Sequence, residues 1–281
     1  MKILITGGDG MLGLDVQRAA EGVGHNVVAL NRTQLDITDR AAVMDAIDGA
    51  GVDAVINCAA FTDVDGAESR SQDATAVNGA GAGNVAAAAA SSNAWVVQVS
   101  TDYVFDGEKP TAYVESDLVA PASAYGRSKL DGERATAAAA PEQHTIVRTA
   151  WLFGAGGRCF PKTILRAASE RPELTVVSDQ VGCPTFTGHL AEALVELAAR
   201  RTPGVLHVAG AGHCSWHEFA AAIVAAGDLD CPVRPISTAE YPLPARRPAN
   251  SVLISERGAP ELPDWRAGLA AFMSELAAVG A

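Results

Sequence analysis

Tyr125-Gly126-Arg127-Ser128-Lys129 sets a phenol and an amine four positions apart. On a helix these two side chains share one face and reach the same bound molecule. A phenol ordinarily loses its proton near pH 10, too high to exchange readily at neutral pH. A neighbouring ammonium favours the phenolate and lowers that value. Bringing it to neutrality takes on the order of 4 kcal/mol of differential stabilisation. Tyr125 would then be a general acid, protonating a carbonyl oxygen as hydride reaches its carbon. The run Ser100-Thr101-Asp102 closes a strand-like segment, and ligands of open α/β sheets bind beyond the carboxyl ends of strands. Thr101 is therefore the candidate second donor to that oxygen, with Ser100 as the alternate. Thr101, Tyr125 and Lys129 form the candidate catalytic set.

Hydride needs a carrier. Thr6-Gly7-Gly8-Asp9-Gly10-Met11-Leu12-Gly13 places a Gly-x-x-Gly-x-x-Gly pattern between an apolar strand and a helix at the chain start. One glycine makes the tight turn, the next lets backbone approach a pyrophosphate, and the third lets helix and strand pack closely. The helix start offers free N–H groups and a positive dipole end to phosphate. Gly7, Gly10, Met11, Leu12 and Gly13 are thus candidate contacts to a nicotinamide dinucleotide. A carboxylate at the end of the second strand would hold an adenosine 2′-hydroxyl and select NAD. Asn31-Arg32 stands there instead, and a guanidinium suits a 2′-phosphate, so NADPH is the expected cofactor. Asp36, with Ile37 beside it, lies close enough in sequence to serve the ribose, which keeps NADH open.

These groups need a frame. Lys2–Thr6, Asn26–Leu30, Asp53–Asn57, Trp95–Ser100 and Thr145–Thr149 read as strands. Met11–Gly22, Asp39–Ala50, Asp73–Ser92 and Ser123–Ala139 read as helices between them. Regular alternation implies parallel strands joined by right-handed crossovers, and continuous apolar strands imply a sheet covered on both faces. The expected fold is α/β: a Rossmann-type doubly wound parallel sheet over residues 1–150, with a smaller C-terminal substrate lobe over 151–281. Frequent prolines break that lobe into loops and short helices, and the strand Gly204–Val208 is expected to return to the main sheet. A chain of 281 residues with 48% hydrophobic and 19% charged content supports a large core. The formal net charge of -12 argues against nucleic-acid and anionic-membrane partners. Five cysteines without a Cys-x-x-Cys suggest neither a disulfide framework nor a zinc site. The start has no basic stretch leading into a long apolar run, so a cytoplasmic protein is expected.

Together these elements resemble the extended short-chain dehydrogenase/reductases. Longer strings narrow the likeness. Ser100-Thr101-Asp102-Tyr103-Val104-Phe105-Asp106-Gly107 is similar to the signature of the dTDP-4-dehydrorhamnose reductase family. So are Arg148-Thr149-Ala150-Trp151-Leu152-Phe153-Gly154, Asp179-Gln180-Val181-Gly182-Cys183-Pro184-Thr185 and Arg247-Pro248-Ala249-Asn250-Ser251. The related 4,6-dehydratases usually carry Asp-Glu after that threonine; here Tyr103 follows Asp102, which favours simple reduction. The resemblance implies NAD(P)H-dependent reduction of the C4 ketone of a dTDP-linked keto-deoxysugar, dTDP-4-dehydro-L-rhamnose in this family. It assigns Asn57-Cys58-Ala59-Ala60 to a segment lying along the cofactor, with Cys58, Ala59, Ala60 and Thr62 as contacts. Val64, Thr101, Asp102, Tyr103 and Trp151 fall where the family touches substrate, Trp151 as an apolar wall against the C6 methyl face. Lys162, Arg246 and Arg247 are the candidate cations for the diphosphate end, and Asn250 beside the arginines is a further candidate substrate contact.

Two departures stand out. Cys159-Phe160 replaces the family's Asn-Phe, which removes a polar substrate contact. Some members dimerise through a metal held by acidic residues on the first helix. Asp15 matches one such position without an evident acidic pair, so no metal is expected, and the protein is read as a monomer or homodimer. Two other functions fit the same residues: a reductase of another nucleotide-linked 4-keto-deoxysugar, and a non-catalytic NADP-binding subunit like the regulatory subunit of methionine adenosyltransferase. An intact Thr101, Tyr125 and Lys129 set argues against the latter.

Overall fold

The computed structural model describes residues 1–280. Aliphatic runs form β1 (Lys2–Thr6), β2 (Asn26–Leu30), β3 (Ala54–Asn57), β4 (Trp95–Thr101) and β5 (His144–Thr149). Every position of β3, β4 and β5 is buried, as a sheet covered on both faces requires. Between the strands lie α1 (Met11–Gly22), α2 (Arg40–Ala50), the short α3 (Gly66–Ser69) and α4 (Ser71–Thr75), then α5 (Ala82–Ser91) and α6 (Ala124–Ala139). Asp39 caps α2, its carboxylate accepting from the N–H groups of Ala41 and Ala42. Ser123 caps α6 through the N–H of Gly126 at 3.1 Å.

The single helix expected over Asp73–Ser92 is interrupted by a π-helical segment, Ala76–Gly81. Asn78 lies in it and explains the widening. Its side chain bonds the N–H and carbonyl of Phe61 and the hydroxyl of Ser128, tying the loop after β3 to α6. Alanine-rich α5 and α6 then pack closely: a side chain at Gly132 would overlap the carbonyl of Asn78.

Beyond residue 150 come β6 (Leu152–Phe153), α7 (Phe160–Glu170), β7 (Leu174–Val177), β8 (Val181–Gly182), β9 (Thr185–Phe186) and α8 (Thr187–Arg200). β10 (Gly204–His207), β11 (Cys214–Ser215), α9 (Trp216–Ala226), β12 (Val233–Ile236) and α10 (Trp265–Gly280) complete the chain. β10 pairs in parallel with β5 at the edge of a six-stranded sheet of order β10-β5-β4-β3-β1-β2, parallel throughout. Leu190 and Leu194 of α8 join Leu12 and Val16 of α1 on one face. Val43 and Ile47 of α2 and Val85 of α5 cover the other. The remaining elements build a lobe around an aromatic core of Phe153, Phe186, Phe219, Trp265 and Phe272. Strand order reverses between β1 and β3, the crevice where such sheets take their ligands.

Candidate active site

A cleft of about 1010 Å³ opens at that crevice. Its first wall is backbone. Gly7 sits at φ +65°, and a Cβ there would lie 2.8 Å from the amide nitrogen of Ala59. A side chain on Gly13 would overlap the Gly7 carbonyl, so helix α1 starts this close to β1 only because both residues are glycine. Gly10 occupies the N-cap of α1 with no side-chain cap, leaving the first-turn N–H groups free for a phosphate. Met11, Leu12, Ile37, Cys58, Ala59, Ala60 and Thr62 line the same cleft. This cradle fits a dinucleotide on geometry alone.

At the adenosine end, Arg32 is exposed on the cleft rim beside Asp36. The Asp36 carboxylate accepts from the N–H and hydroxyl of Thr38, at 3.0 and 2.8 Å, and these bonds hold its pKa below the usual value. Asn31 does not line the cleft; its amide oxygen is spent on Thr33 and Gln34. The rim thus presents a guanidinium beside a carboxylate already served by Thr38.

The opposite wall is made of side chains. Tyr125 and Lys129 rise from α6, and Thr101 and Asp102 stand at the end of β4, all on the cleft. Lys129 donates to the Val99 carbonyl at 2.6 Å, and burial lowers its pKa to about 8. Burial, aided by the nearby Asp102 charge, raises Tyr125 to about 12 against a hydrogen bond from Thr101 that favours the phenolate. The phenol therefore stands above its ordinary value, not below it as expected from a neighbouring ammonium. The lysine is anchored on backbone and the tyrosine holds its proton, the state a proton donor needs. Ser100 donates to Glu133 at 2.6 Å, and Glu133 forms a buried bidentate pair with Arg148 at 2.9 and 2.7 Å. Ser100 also lines the cleft, but its hydrogen is committed to Glu133, whereas the Thr101 hydroxyl neighbours the Tyr125 phenol.

Tyr103 packs edge-on to Tyr125, ring centroids 5.6 Å apart. Val64 and Trp151 also face the cleft. Trp151 adopts φ +48°, a left-handed backbone uncommon for a bulky residue, and stacks on Trp216 with centroids 3.5 Å apart and planes 4° from parallel. Trp216 escaped sequence reading, although Cys214-Ser215-Trp216 opens α9 with a capping box built on Ser215 and Glu218. Arg158, exposed on the cleft, also escaped. The cations expected at the diphosphate lie elsewhere. Lys162 donates to the Ala155 carbonyl and does not line the cleft. Arg247 grips Asp65 at 2.5 and 2.7 Å and Arg246 pairs with Glu108. Both line a neighbouring cavity of about 680 Å³, as does Asn250, whose amide is used on the carbonyls of Lys109 and Thr111. Asp15 is paired with Arg18, and among the described residues no group of three or more His, Cys, Asp or Glu is arranged to hold a metal.

A doubly wound sheet, a glycine cradle at its switch point and a Tyr–Lys helix facing it define a Rossmann-type oxidoreductase of the short-chain dehydrogenase/reductase class. Residues 1–278 match the family described as RmlD substrate binding domain, and the chain belongs to it. A dTDP-4-dehydrorhamnose reductase of Burkholderia thailandensis is 45% identical, over 95% of this chain and 96% of that protein. A dTDP-4-keto-6-deoxy-D-glucose reductase of Streptomyces niveus is 42% identical over 77% of this chain and 75% of its own length. The crystal structure of dTDP-4-dehydrorhamnose reductase from Bacillus anthracis in complex with NADP superposes with a TM-score of 0.94 at 36% identity, covering 98% of this chain and 99% of that one.

Proposed function

We propose that this chain uses NADPH to reduce the C4 ketone of dTDP-4-dehydro-L-rhamnose, giving dTDP-L-rhamnose. The observation that carries the reading is one cleft lined by both the Tyr125 phenol and the glycine cradle. When bound, the nicotinamide supplies hydride to the ketone carbon. Tyr125 delivers its proton to the ketone oxygen, which Thr101 holds through a hydrogen bond. Lys129, anchored on Val99, adds positive charge behind the phenol and offsets the phenolate that proton transfer leaves. Gly7, Gly10, Met11, Leu12 and Gly13 hold the pyrophosphate, and Arg32 takes the 2′-phosphate. Cys58, Ala59, Ala60 and Thr62 flank the nicotinamide half, while Val64, Asp102, Tyr103 and Trp151 line the sugar.

Arg247 reaches the diphosphate only by sharing or leaving Asp65, a cost that the charge of a nucleotide sugar can offset. Lys162 and Asn250 each need a similar exchange of partners. Among the described residues no helix is long and apolar enough to cross a membrane. We separately propose that the enzyme is a cytoplasmic monomer or homodimer. The Cys159 departure and the Streptomyces niveus relative favour a second reading, reduction of a differently configured dTDP-4-keto-6-deoxyhexose. The test is turnover of each ketosugar with NADPH and with NADH, followed by loss of reduced-nicotinamide absorbance and sugar analysis of the product. Turnover of the rhamno-configured ketone at the higher kcat/KM is expected. A preference for the gluco-configured ketone selects the second reading, and NADPH binding without turnover selects a non-catalytic subunit.

A further inference from the structure

Asp102 is a carboxylic acid in the wrong surroundings for a charge. It is 2% exposed, at the junction of β4 and the cleft. One oxygen, Oδ1, lies 2.9 Å from Thr101 Oγ1; the other, Oδ2, is buried with no hydrogen-bond partner. Groups from each packed element face it: Thr101 and Tyr103 along the chain, Tyr125 from α6, Cys183 after β8, and Ser251 from the loop beyond Asn250. None of them is a cation. Lys129 is turned to Val99, Cys58 and Glu133, and Arg247 to Asp65 and Tyr103. An isolated buried carboxylate is among the costliest things a fold can hold, and such a group neutralises itself by taking a proton.

The hydrogen accounting at Thr101 points the same way. A hydroxyl has one hydrogen to give and two lone pairs to fill. Thr101 Oγ1 already accepts the N–H of Tyr103 at 3.2 Å. If Asp102 is ionised, it is the strongest acceptor present and takes the only Thr101 hydrogen, so nothing remains for a ketone. If Asp102 carries a proton, the carboxyl O–H fills the second lone pair of Thr101 and frees the Thr101 hydrogen toward the cleft, where the Tyr125 phenol oxygen and a bound ketone oxygen are its two acceptors. The unpartnered Ser251 hydroxyl then has the neutral acid's Oδ2 as its acceptor.

We infer that Asp102 works as a neutral acid that donates to Thr101 and so aims the Thr101 hydroxyl at the substrate ketone. This rests on the reductase reading above. Asp102 is a positioning residue in this scheme: it passes no proton to substrate and is unchanged by turnover. Neutrality serves Tyr125 as well, because an ionised Asp102 opposes formation of the phenolate beside it. Burial is already strong enough to raise the acid to about 6 in the free protein.

The test combines a proton readout with kinetics. Difference infrared spectra of the NADPH-bound protein, wild type against Asp102→Asn, report the protonated-carboxyl carbonyl band without any turnover. A band lost in Asp102→Asn and titrating near or above pH 6 is expected; its absence above about pH 5 overturns the proposal. Asp102→Ala should lower kcat/KM for the ketosugar by about 10- to 100-fold with NADPH affinity unchanged, since the threonine donor loses its aim. Asp102→Asn, whose amide N–H also donates to Thr101, should restore most of that loss. Wild-type kcat/KM should fall about tenfold per pH unit above the Asp102 titration, and that limb should vanish in Asp102→Asn. The remaining decline should be the one set by Lys129, near pH 8. Ser251→Ala removes the neighbouring hydroxyl whose dipole favours the carboxylate, and should move the limb to higher pH. An Asn variant as poor as Ala, an unchanged limb in it, or a limb moved downward by Ser251→Ala overturns the role. If wild type turns over no ketosugar, the reductase reading has failed, and the infrared titration still decides the protonation of Asp102.

Discussion

The two walls of the cleft are built from opposite materials. The wall we assign to the dinucleotide is backbone at its centre, where Gly7 and Gly13 leave no room for a Cβ, with Arg32 and Asp36 only at its rim. The wall we assign to the sugar is side chain: Tyr103, Tyr125, Asp102, Trp151 and Trp216, with the first three buried deeply enough to move their proton affinities far from ordinary values. In the proposed reading one wall holds its ligand through shape and dipole, the other through placed protons and aromatic faces. The first should therefore fail when atoms are added, and the second when atoms are removed.

The largest effect should come from the sugar wall. Tyr125→Phe removes one oxygen and should lower kcat by about 10²- to 10⁴-fold while leaving NADPH affinity in place. Turnover within tenfold of wild type would show that another group supplies the proton. The same wall has a stability signature. Asp102 ionises near 3.8 when free and near 6 when folded, so its contribution is most favourable below about pH 4 and is lost as pH rises through 6. Asp102→Asn should therefore match wild-type stability near pH 4 and exceed it at pH 7 by on the order of 3 kcal/mol, read as the difference in Tm at the two pH values. Equal gains at both pH values would locate the effect in packing rather than charge.

The glycine wall should answer to added atoms. Gly13→Ala forces the Cβ against the Gly7 carbonyl, an overpacking cost of about 1–3 kcal/mol. NADPH affinity should fall by roughly 5- to 100-fold, measured by nucleotide fluorescence titration, and binding unchanged from wild type would mean the loop does not hold the cofactor. Arg32→Ala instead takes atoms away from the rim of that same wall. It should weaken NADPH by about tenfold, the worth of a charge-assisted bond at an exposed site, with NADH unaffected. Equal loss for both nucleotides would place the 2′-phosphate elsewhere.

Legibility in the sequence followed the same division. The backbone wall could be read because its requirements are local: glycines at fixed spacing between a strand and a helix. Tyr125 and Lys129 were legible for the same reason, sharing one helix face. What the helix period could not reveal was where each side chain spends its hydrogen bonds. Lys129 uses its proton on Val99, Ser100 on Glu133, and Arg247 is held by Asp65, partners distant in sequence and joined only by the fold. The charge-based search for diphosphate cations missed this, since it counted positive residues without their partners. The break in the helix at Ala76–Gly81 was equally hidden, because it follows from Asn78 reaching across to Phe61 and Ser128. Helix α8 and strand β10 return from the far half of the chain to complete the main sheet layer, a return for which the sequence offered only the strand.

Trp216 is the clearest case of a residue visible only in three dimensions, and it gives the smallest and most discriminating test of the two-wall contrast. Trp151 holds φ +48°, a conformation that costs a bulky residue on the order of 1–3 kcal/mol and persists only when its surroundings enforce it. The enforcement is visible. The indole lies flat on Trp216 and also sits against Gly182, where a side chain would overlap its ring. Trp216→Ala removes one side of that clamp, and an aromatic pair is worth about 0.5–1.5 kcal/mol beyond its buried area. The ketosugar KM should therefore rise by about 2- to 12-fold, with KM for NADPH unchanged and the exciton-coupled circular dichroism of the stacked indoles lost. If the dichroism disappears while the sugar KM stays put, Trp151 does not line the sugar. If instead the NADPH KM moves, the aromatic stack belongs to the backbone wall, and the division of the cleft into two materials is drawn in the wrong place.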